Sequence, residues 1–343
     1  MSRLSLAIAL VLLSSCMTAE SSTEAPAAQA YATVGTVHRY DARMDALVPP
    51  GAELEVLAEG FAWSEGPVWV PDQQHLLFSD IPNNTVYAWS EAGGLEVFLR
   101  PAGYTLDDAA GDELGTNGLV LDADGRLLMA DHGNRMIARL NDNYTRTPLA
   151  MRYNGERFNS PNDLAVHSSG AVYFTDPPYG LRGLNDSPDK ERDVNGVYRV
   201  TPDGDVTLLS TSFTFPNGIA FSPDEQTLYV AQSDRSRPII MAFDVAADGL
   251  LANERVFYDF STQDTEGLRG LPDGMVVDTE GNVWATGPGG VSVFGPDGTL
   301  LGRIDPGQAT ANTTLGGPDG TTLYLTSNML LCRIATAARR AGV

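Results

Sequence analysis

The sequence predicts an all-β protein, a six-bladed β-propeller. Three observations predict this class. A polar residue, a short apolar strand, a turn and a second strand recur in this order along the chain. The copies lie about one blade apart. The 343 residues also include 35 Gly and 21 Pro, a content that favours frequent turns over long helices.

We call the polar residue that opens each copy an anchor residue. The anchors are Glu65, Asn117, Asn162, Asn217, Asp273 and, with a weaker match, Gly316. Consecutive anchors are 43 to 56 residues apart, which is the length of one four-stranded blade. Six copies therefore predict six blades. Residues 54–57 are predicted to form an outer strand that closes the ring against the last blade, since closure removes an open sheet edge.

The N-terminal segment is predicted to lie outside the propeller. A positive start is followed by an apolar run at residues 4–13, which is too short to span a bilayer and is typical of a secretory signal. Residues 13–16 match a bacterial lipobox, so we expect cleavage before Cys16 and a lipid on that cysteine. An ordinary signal peptide cleaved nearby is the alternative. Residues 1–15 are then the signal peptide, 16–33 a flexible tether and 34–343 the propeller, exported and anchored on the periplasmic side of the cell envelope.

The charge of the chain excludes several partners. Lys and Arg number 22 against 44 Asp and Glu, for a formal net charge of −22. Such a surface cannot release counterions from nucleic acid, and it does not dock on anionic lipid by charge. We therefore expect no nucleic-acid partner, and membrane contact only through the lipid on Cys16.

The anchors are the candidates for chemistry. In a propeller the inner strands all start on one face, so the anchors are expected around the mouth of the central channel. Carboxylate and amide oxygens are hard ligands that suit calcium or magnesium, and the set lacks the His and Cys that zinc prefers. Asn-Gly and Asp-Gly are also ordinary turn dipeptides, but turns alone do not require such oxygens in five successive blades. We therefore predict a central site for one divalent cation. His132 is the one histidine expected on this face.

Several motifs resemble the gluconolactonase/senescence-marker-protein (regucalcin-like) family of six-bladed propellers over residues 50–335. The motifs are Ser64-Glu65-Gly66-Pro67-Val68-Trp69, Phe158-Asn159-Ser160-Pro161-Asn162-Asp163, Phe215-Pro216-Asn217-Gly218 and Leu271-Pro272-Asp273-Gly274-Met275. Asp131-His132-Gly133-Asn134-Arg135 and the segment 173–181 resemble its bacterial gluconolactonase-like branch.

The resemblance implies a divalent cation in the channel, with calcium expected and magnesium, manganese or zinc as alternatives, and hydrolysis of small-molecule lactones. The metal ligands that it implies are Glu65, Asn162, Asn217 and Asp273. The residues predicted to bind or support the substrate are Asn117, Asp163, Asp176 and Tyr179. Asp163 is expected to hold the amide of Asn162 from behind. Asp176 has an alternative role, capping the loop at the end of its strand.

The predicted reaction is the opening of a sugar-lactone ester by water. The cation would polarise the carbonyl and activate water. Asp273 is the first candidate for the general base. His132 is the second, with a hydrogen-bonded wall residue as its alternative role. A serine nucleophile is disfavoured because the chain has no Gly-x-Ser-x-Gly motif. Two other functions fit the same site: a diisopropylfluorophosphatase-like organophosphate hydrolase, and a non-catalytic binding propeller with structural calcium.

Overall fold

The computed structural model describes residues 30–341. The predicted signal peptide, the lipobox with Cys16 and most of the predicted tether lie outside the described residues. Between residues 30 and 341, no helix is both long enough and apolar enough to cross a membrane.

The described chain is built almost entirely of short strands. In chain order these are β1 (Ala32–Val34), β2 (Thr36–Arg39), β3 (Leu54–Glu59), β4 (Ser64–Val70), β5 (His75–Asp80), β6 (Thr85–Ser90), β7 (Gly94–Leu99), β8 (Leu119–Leu121), β9 (Leu127–Asp131), β10 (Met136–Leu140), β11 (Arg146–Ala150), β12 (Arg152–Tyr153), β13 (Glu156–Arg157), β14 (Leu164–Val166), β15 (Val172–Asp176), β16 (Asn195–Val200), β17 (Val206–Phe213), β18 (Pro216–Phe221), β19 (Thr227–Gln232), β20 (Ile239–Val245), β21 (Leu251–Asp259), β22 (Met275–Val277), β23 (Val283–Gly287), β24 (Gly290–Phe294), β25 (Leu300–Asp305), β26 (Asn312–Gly316), β27 (Thr322–Ser327) and β28 (Leu330–Ala335). The helical segments are α1 (Met44–Leu47) and three 3-10 turns, Pro71–Gln73, Leu184–Asp186 and Phe260–Thr262.

The strands form six antiparallel blades, which confirms the predicted fold. Blades 1 to 4 are the sheets β4–β7, β8–β11, β14–β17 and β18–β21. Blade 5 is β22–β25 with β2 at its outer edge, and blade 6 is β26–β28 followed by β3 and β1. Strand β3 pairs with β28, with Val56 opposite Cys332, so the strand predicted at residues 54–57 closes the ring. Strand β1 starts at Ala32, two residues before the expected boundary at 34.

Blade 6 corrects one prediction about the anchors. Its inner strand begins at Asn312 and ends at Gly316, so Gly316 lies at the wrong end of the strand to be an anchor. The equivalent residue is Ala311, whose backbone N–H bonds to the second strand of its blade at 2.9 Å, as those of Asn117 and Asn162 do. The Gly-rich pattern that suggested Gly316 belongs to the turn on the far face. The sixth blade therefore offers a methyl group where the other five offer polar side chains.

The hydrophobic core of the described residues lies between the blades. Six clusters of buried side chains occur, one at each junction of neighbouring blades. At the junction of blades 6 and 1, Trp69 stacks on Tyr324 with ring centroids 5.8 Å apart and planes inclined by 8°. Cys332 is completely buried in the core. Each blade is thus apolar on both faces, and each is supported by two neighbours.

The inner strands approach one another most closely just after the anchors. A Cβ atom on Gly218 would lie 2.1 Å from the carbonyl oxygen of Asp273, and one on Gly118 would lie 2.8 Å from that of Asn162. Neither glycine has a positive φ, so space and not backbone conformation requires the missing side chain. The glycines that follow these anchors are therefore part of the packing around the channel.

This packing predicts the effect of Gly218→Ala. The new methyl group must displace the backbone of Asp273, so we expect a loss of about 2 to 3 kcal/mol in the free energy of unfolding, measured in urea. Gly93→Ala is the matched control, because its nearest neighbour is the movable Oγ of Ser90 at 3.1 Å. Equal stabilities for the two variants would contradict the close approach of blades 4 and 5.

Candidate active site

One cavity opens where the predicted anchors meet. It has a volume of about 580 Å³. The anchor side chains on its wall are Glu65, Asn117, Asn162, Asn217 and Asp273. They come from five successive blades, and four of them are 3 to 4% exposed. The structure therefore brings together every polar anchor that the sequence predicts.

Polar residues at the ends of second strands hold the loops that lead into the anchors. In blade 1, Asp80 accepts a hydrogen bond from the backbone N–H of Trp63 at 3.1 Å. In blade 4, the side chain of Gln232 accepts one from the backbone N–H of Thr214 at 2.9 Å. Each bond ties the segment before the anchor to the strand beside it. The anchors are thus positioned by the blade itself.

In blade 3, Asp176 holds the loop that leads into the anchor. This position corrects its predicted contact with substrate. It is completely buried and is not on the cavity wall. It accepts hydrogen bonds at 2.9 Å from the backbone N–H groups of Asn159 and Ser160, just before Asn162. Burial raises its pKa to about 7, against these hydrogen bonds. The alternative given by the sequence, a cap on the loop, is the role that the contacts support.

The two anchor carboxylates of the cavity, Glu65 and Asp273, are unfavourable in their ionised form. Burial, followed by the charge of Asp163, raises the pKa of Glu65 to about 8. Burial and the charges of Glu65 and Asp163 hold the pKa of Asp273 well above its usual range. A buried carboxylate resists ionisation when a second negative charge is near. A cation between Glu65 and Asp273 would offset both effects.

Three buried oxygen atoms at the site have no hydrogen-bond partner. They are Oδ1 of Asn117, Oδ1 of Asn217 and Oδ1 of Asp273. In Asn217 the amide nitrogen donates to Ser233 Oγ at 2.9 Å, which leaves the oxygen as the available acceptor. Buried polar atoms are normally satisfied, so unpaired oxygens that converge on one cavity indicate a missing ligand. Oxygen donors of this kind suit a hard divalent cation.

The candidate ligands for such an ion are of two kinds. Within residues 30–341, no three Asp, Glu, His or Cys side chains come close enough to form a metal site. The site has two carboxylates from anchors, and its other anchor oxygens belong to amides. A cation would therefore depend on Asn as well as on acidic ligands.

The position of Asp163 corrects a second prediction. Its carboxylate accepts hydrogen bonds from the backbone N–H groups of Leu164, at 2.9 Å, and Ile219, at 3.4 Å, and not from the amide of Asn162. It lines a different cavity of about 420 Å³, together with Arg340. Asp163 occupies the place that glycine takes after the neighbouring anchors, so its side chain bridges blades 3 and 4. Its negative charge contributes to the raised pKa values of Glu65 and Asp273.

His132 also lies away from the cavity wall. Its ring is completely buried, and Nε2 lies 2.9 Å from Oε2 of Glu113, without the alignment of a hydrogen bond. Glu113 itself is on the cavity wall. His132 does not line the cavity itself, which makes it a weaker candidate for a general base than Asp273.

Tyr179 is on the cavity wall, as its predicted contact with substrate requires. Its ring stacks on Phe215, with centroids 5.6 Å apart and planes inclined by 17°. Burial and the nearby charge of Asp273 raise the pKa of its hydroxyl group. The hydroxyl keeps its proton and is available as a hydrogen-bond donor.

Sequence reasoning missed several polar or aromatic residues on the wall. They are Trp63, Glu113, Ser233, Arg235 and Arg269. Ser233 follows the end of β19 as His132 follows the end of β9, so the repeat could have indicated it. Glu113 lies in an irregular loop where no periodic signal exists.

The chain is similar to known proteins over most of its length. Residues 63–329 match the SMP-30/Gluconolactonase/LRE-like region. The chain is 42% identical to a gluconolactonase of Zymomonas mobilis over 89% of its own length and 87% of the relative's. It is 29% identical to a pentonolactonase of Haloferax volcanii, over 77% and 80% of the two chains.

A solved structure shows the same fold over nearly the whole propeller. It is a gluconolactonase from Xanthomonas campestris, 35% identical, with a TM-score of 0.78 over 90% of this chain and 98% of the other. Taken together, the family match and the identity over most of both chains show that this chain belongs to the SMP-30/gluconolactonase/LRE-like family.

Proposed function

We propose that the protein is a lactonase that opens the ester ring of a sugar lactone with the help of one divalent cation. The observation that supports this most strongly is the convergence of five polar anchors on one cavity, three of them with buried oxygens that lack a partner. Membership of the family and the similarity to gluconolactonases favour lactone hydrolysis as the reaction.

The residues proposed to hold the cation are Glu65, Asn162, Asn217 and Asp273. Calcium is the ion we expect from carboxylate and amide donors, and magnesium, manganese and zinc are the alternatives to be tested. A bound divalent cation would supply positive charge that polarises the ester carbonyl and favours the ionisation of nearby water. Asn117 is proposed as a substrate contact at the edge of this set.

The chain itself supplies a proton acceptor and a donor. Hydrolysis joins a water oxygen to the carbonyl carbon and breaks the bond to the ring oxygen, so one proton must leave the water and one must reach the ring oxygen. Asp273 is the proposed acceptor of the water proton, because its Oδ1 atom is buried and unpaired, and the same carboxyl group would return that proton to the ring oxygen as the ester bond breaks. Tyr179 is proposed to orient the lactone by donating a hydrogen bond.

Replacement of Asp273 tests the proposed site. Asp273→Ala should lower kcat/KM for glucono-δ-lactone by at least about 100-fold, since it removes both a cation ligand and the proton acceptor. Circular dichroism should show that the fold is retained. Glu266→Gln, a change in an exposed residue of the preceding loop, is the control and should leave activity unchanged. An active Asp273→Ala enzyme would rule out the site.

Removal of metal tests the cofactor. A chelator should abolish lactone hydrolysis, and calcium should restore it. Calcium at about 100 times its Kd should stabilise the wild-type fold by about 2.7 kcal/mol, whereas Asp273→Ala should show little of this effect. Full activity in the presence of a strong chelator would contradict metal dependence. Metal-dependent turnover of fluorophosphates without lactones would favour the organophosphate hydrolase instead.

We also propose that the mature protein is anchored to the cell envelope by a lipid on Cys16. The support is the apolar run followed by a lipobox, and the charge of −22, which leaves little attraction to anionic lipid. In fractionated cells the wild type should be found with membranes, and Cys16→Ala should move to the soluble fraction or remain unprocessed. Membrane attachment of Cys16→Ala equal to that of the wild type would contradict the proposal.

A further inference from the structure

Glu113 is an acidic residue on the cavity wall that does not belong to the set of anchors. It lies in the irregular segment between β7 and β8, and its side chain is 35% exposed. The oxygen Oε2 lies 2.9 Å from Nε2 of His132, and the ring of His132 is completely buried behind it. One side of the carboxylate therefore faces the protein, and the residue as a whole borders the cavity.

The segment that carries Glu113 is packed too tightly to swing freely. The carbonyl oxygen of Leu114 accepts a hydrogen bond from the backbone N–H of Tyr104 at 2.8 Å. A Cβ atom on Gly103 would lie 2.0 Å from that oxygen, and one on Gly133 would lie 2.2 Å from it. Two glycines thus let neighbouring segments enclose the residue next to Glu113.

His132 is held just as closely. A Cβ atom on Gly180 would lie 2.6 Å from Cδ2 and 2.8 Å from Nε2 of the ring. The ring is fixed between the Gly180 backbone and the carboxylate of Glu113. Because the ring cannot move away, its contact with Oε2 limits the positions that the carboxylate can take.

Glu113 is near the groups proposed to react. All three residues line the same cavity, and the charge of Glu113 contributes to the raised pKa of Asp273 and to that of Tyr179. It is not one of the residues proposed to hold the cation. A substrate bound between Asp273 and Tyr179 would therefore meet the Glu113 carboxylate with another part of its ring.

We propose that Glu113, positioned by His132, accepts hydrogen bonds from the hydroxyl groups of the lactone and so selects polyhydroxylated lactones over unsubstituted ones. A carboxylate is an acceptor only, with room for two hydroxyl donors. A site built to bind hydroxyl groups discriminates strongly against an analogue that lacks them, because its polar group is then left unpaired. The inference rests on the proposed lactonase function and adds the residue that recognises the hydroxyl groups of the substrate.

The test compares glucono-δ-lactone with δ-valerolactone, which has the same ester ring without hydroxyl groups. Glu113→Ala should lower kcat/KM for glucono-δ-lactone by about 10- to 100-fold, the loss expected for a charge-assisted hydrogen bond, and should change that for δ-valerolactone less than about twofold. Inhibition constants for δ-valerolactone give the same comparison if its turnover is slow.

His132→Asn should reduce the same selectivity ratio, since the carboxylate would lose the ring that positions it. A purely structural role for His132 would lower activity on both lactones together. Asp112→Asn is the matched control: Asp112 is the neighbouring acidic residue, 87% exposed, and it pairs with Arg182 at 2.9 Å, so both lactones should be unaffected.

Other outcomes overturn the inference in distinguishable ways. An equal loss on both lactones in Glu113→Ala, with the fold retained by circular dichroism, would show that Glu113 serves catalysis in general and not selection. No loss on either lactone would show that it does not contact the substrate. A wild-type protein that acts on no lactone would overturn the proposed function itself, and this inference with it.

Discussion

The crowding of inner strands around the channel is the constraint on which the rest of the structure depends. Where Gly118 and Gly218 follow their anchors, the next blade is so near that a Cβ atom would lie 2.8 Å or less from a carbonyl oxygen. Gly118 and Gly218 leave no room for a side chain between the strands, whereas Asp163, at the same place in blade 3, bridges blades 3 and 4 with its carboxylate. The packing of the inner strands therefore also determines where the anchor side chains lie.

The same convergence puts like charges together. Glu65 and Asp273 line the same cavity, Asp163 lines a different one, and the pKa values of all three are raised. Burying such charges destabilises a fold unless a counter-charge is supplied. The six apolar clusters between the blades supply the stability that allows this strain. A cation bound as proposed would supply that counter-charge.

Much of this architecture could be predicted from the sequence, because a propeller repeats one local pattern. The periodic anchors gave the blade number and five of the residues on the cavity wall. Prediction failed where the pattern is ambiguous or absent. Gly316 shows the ambiguity, because the two ends of an inner strand carry similar turn residues. The roles of Asp163 and Asp176 depend on which backbone N–H groups they face, and Glu113 lies in a loop without periodicity, so only three-dimensional contacts reveal them.

The central claim is that oxygens from several blades form one site for a divalent cation. The most direct measurement is the calcium content of the purified propeller by equilibrium dialysis, in the wild type and in Glu65→Gln. This variant keeps the size of the side chain and removes its charge. One ion per chain in the wild type, and a large loss of affinity in Glu65→Gln, is the result predicted. No bound ion in the wild type, or unchanged binding in Glu65→Gln, would contradict the account.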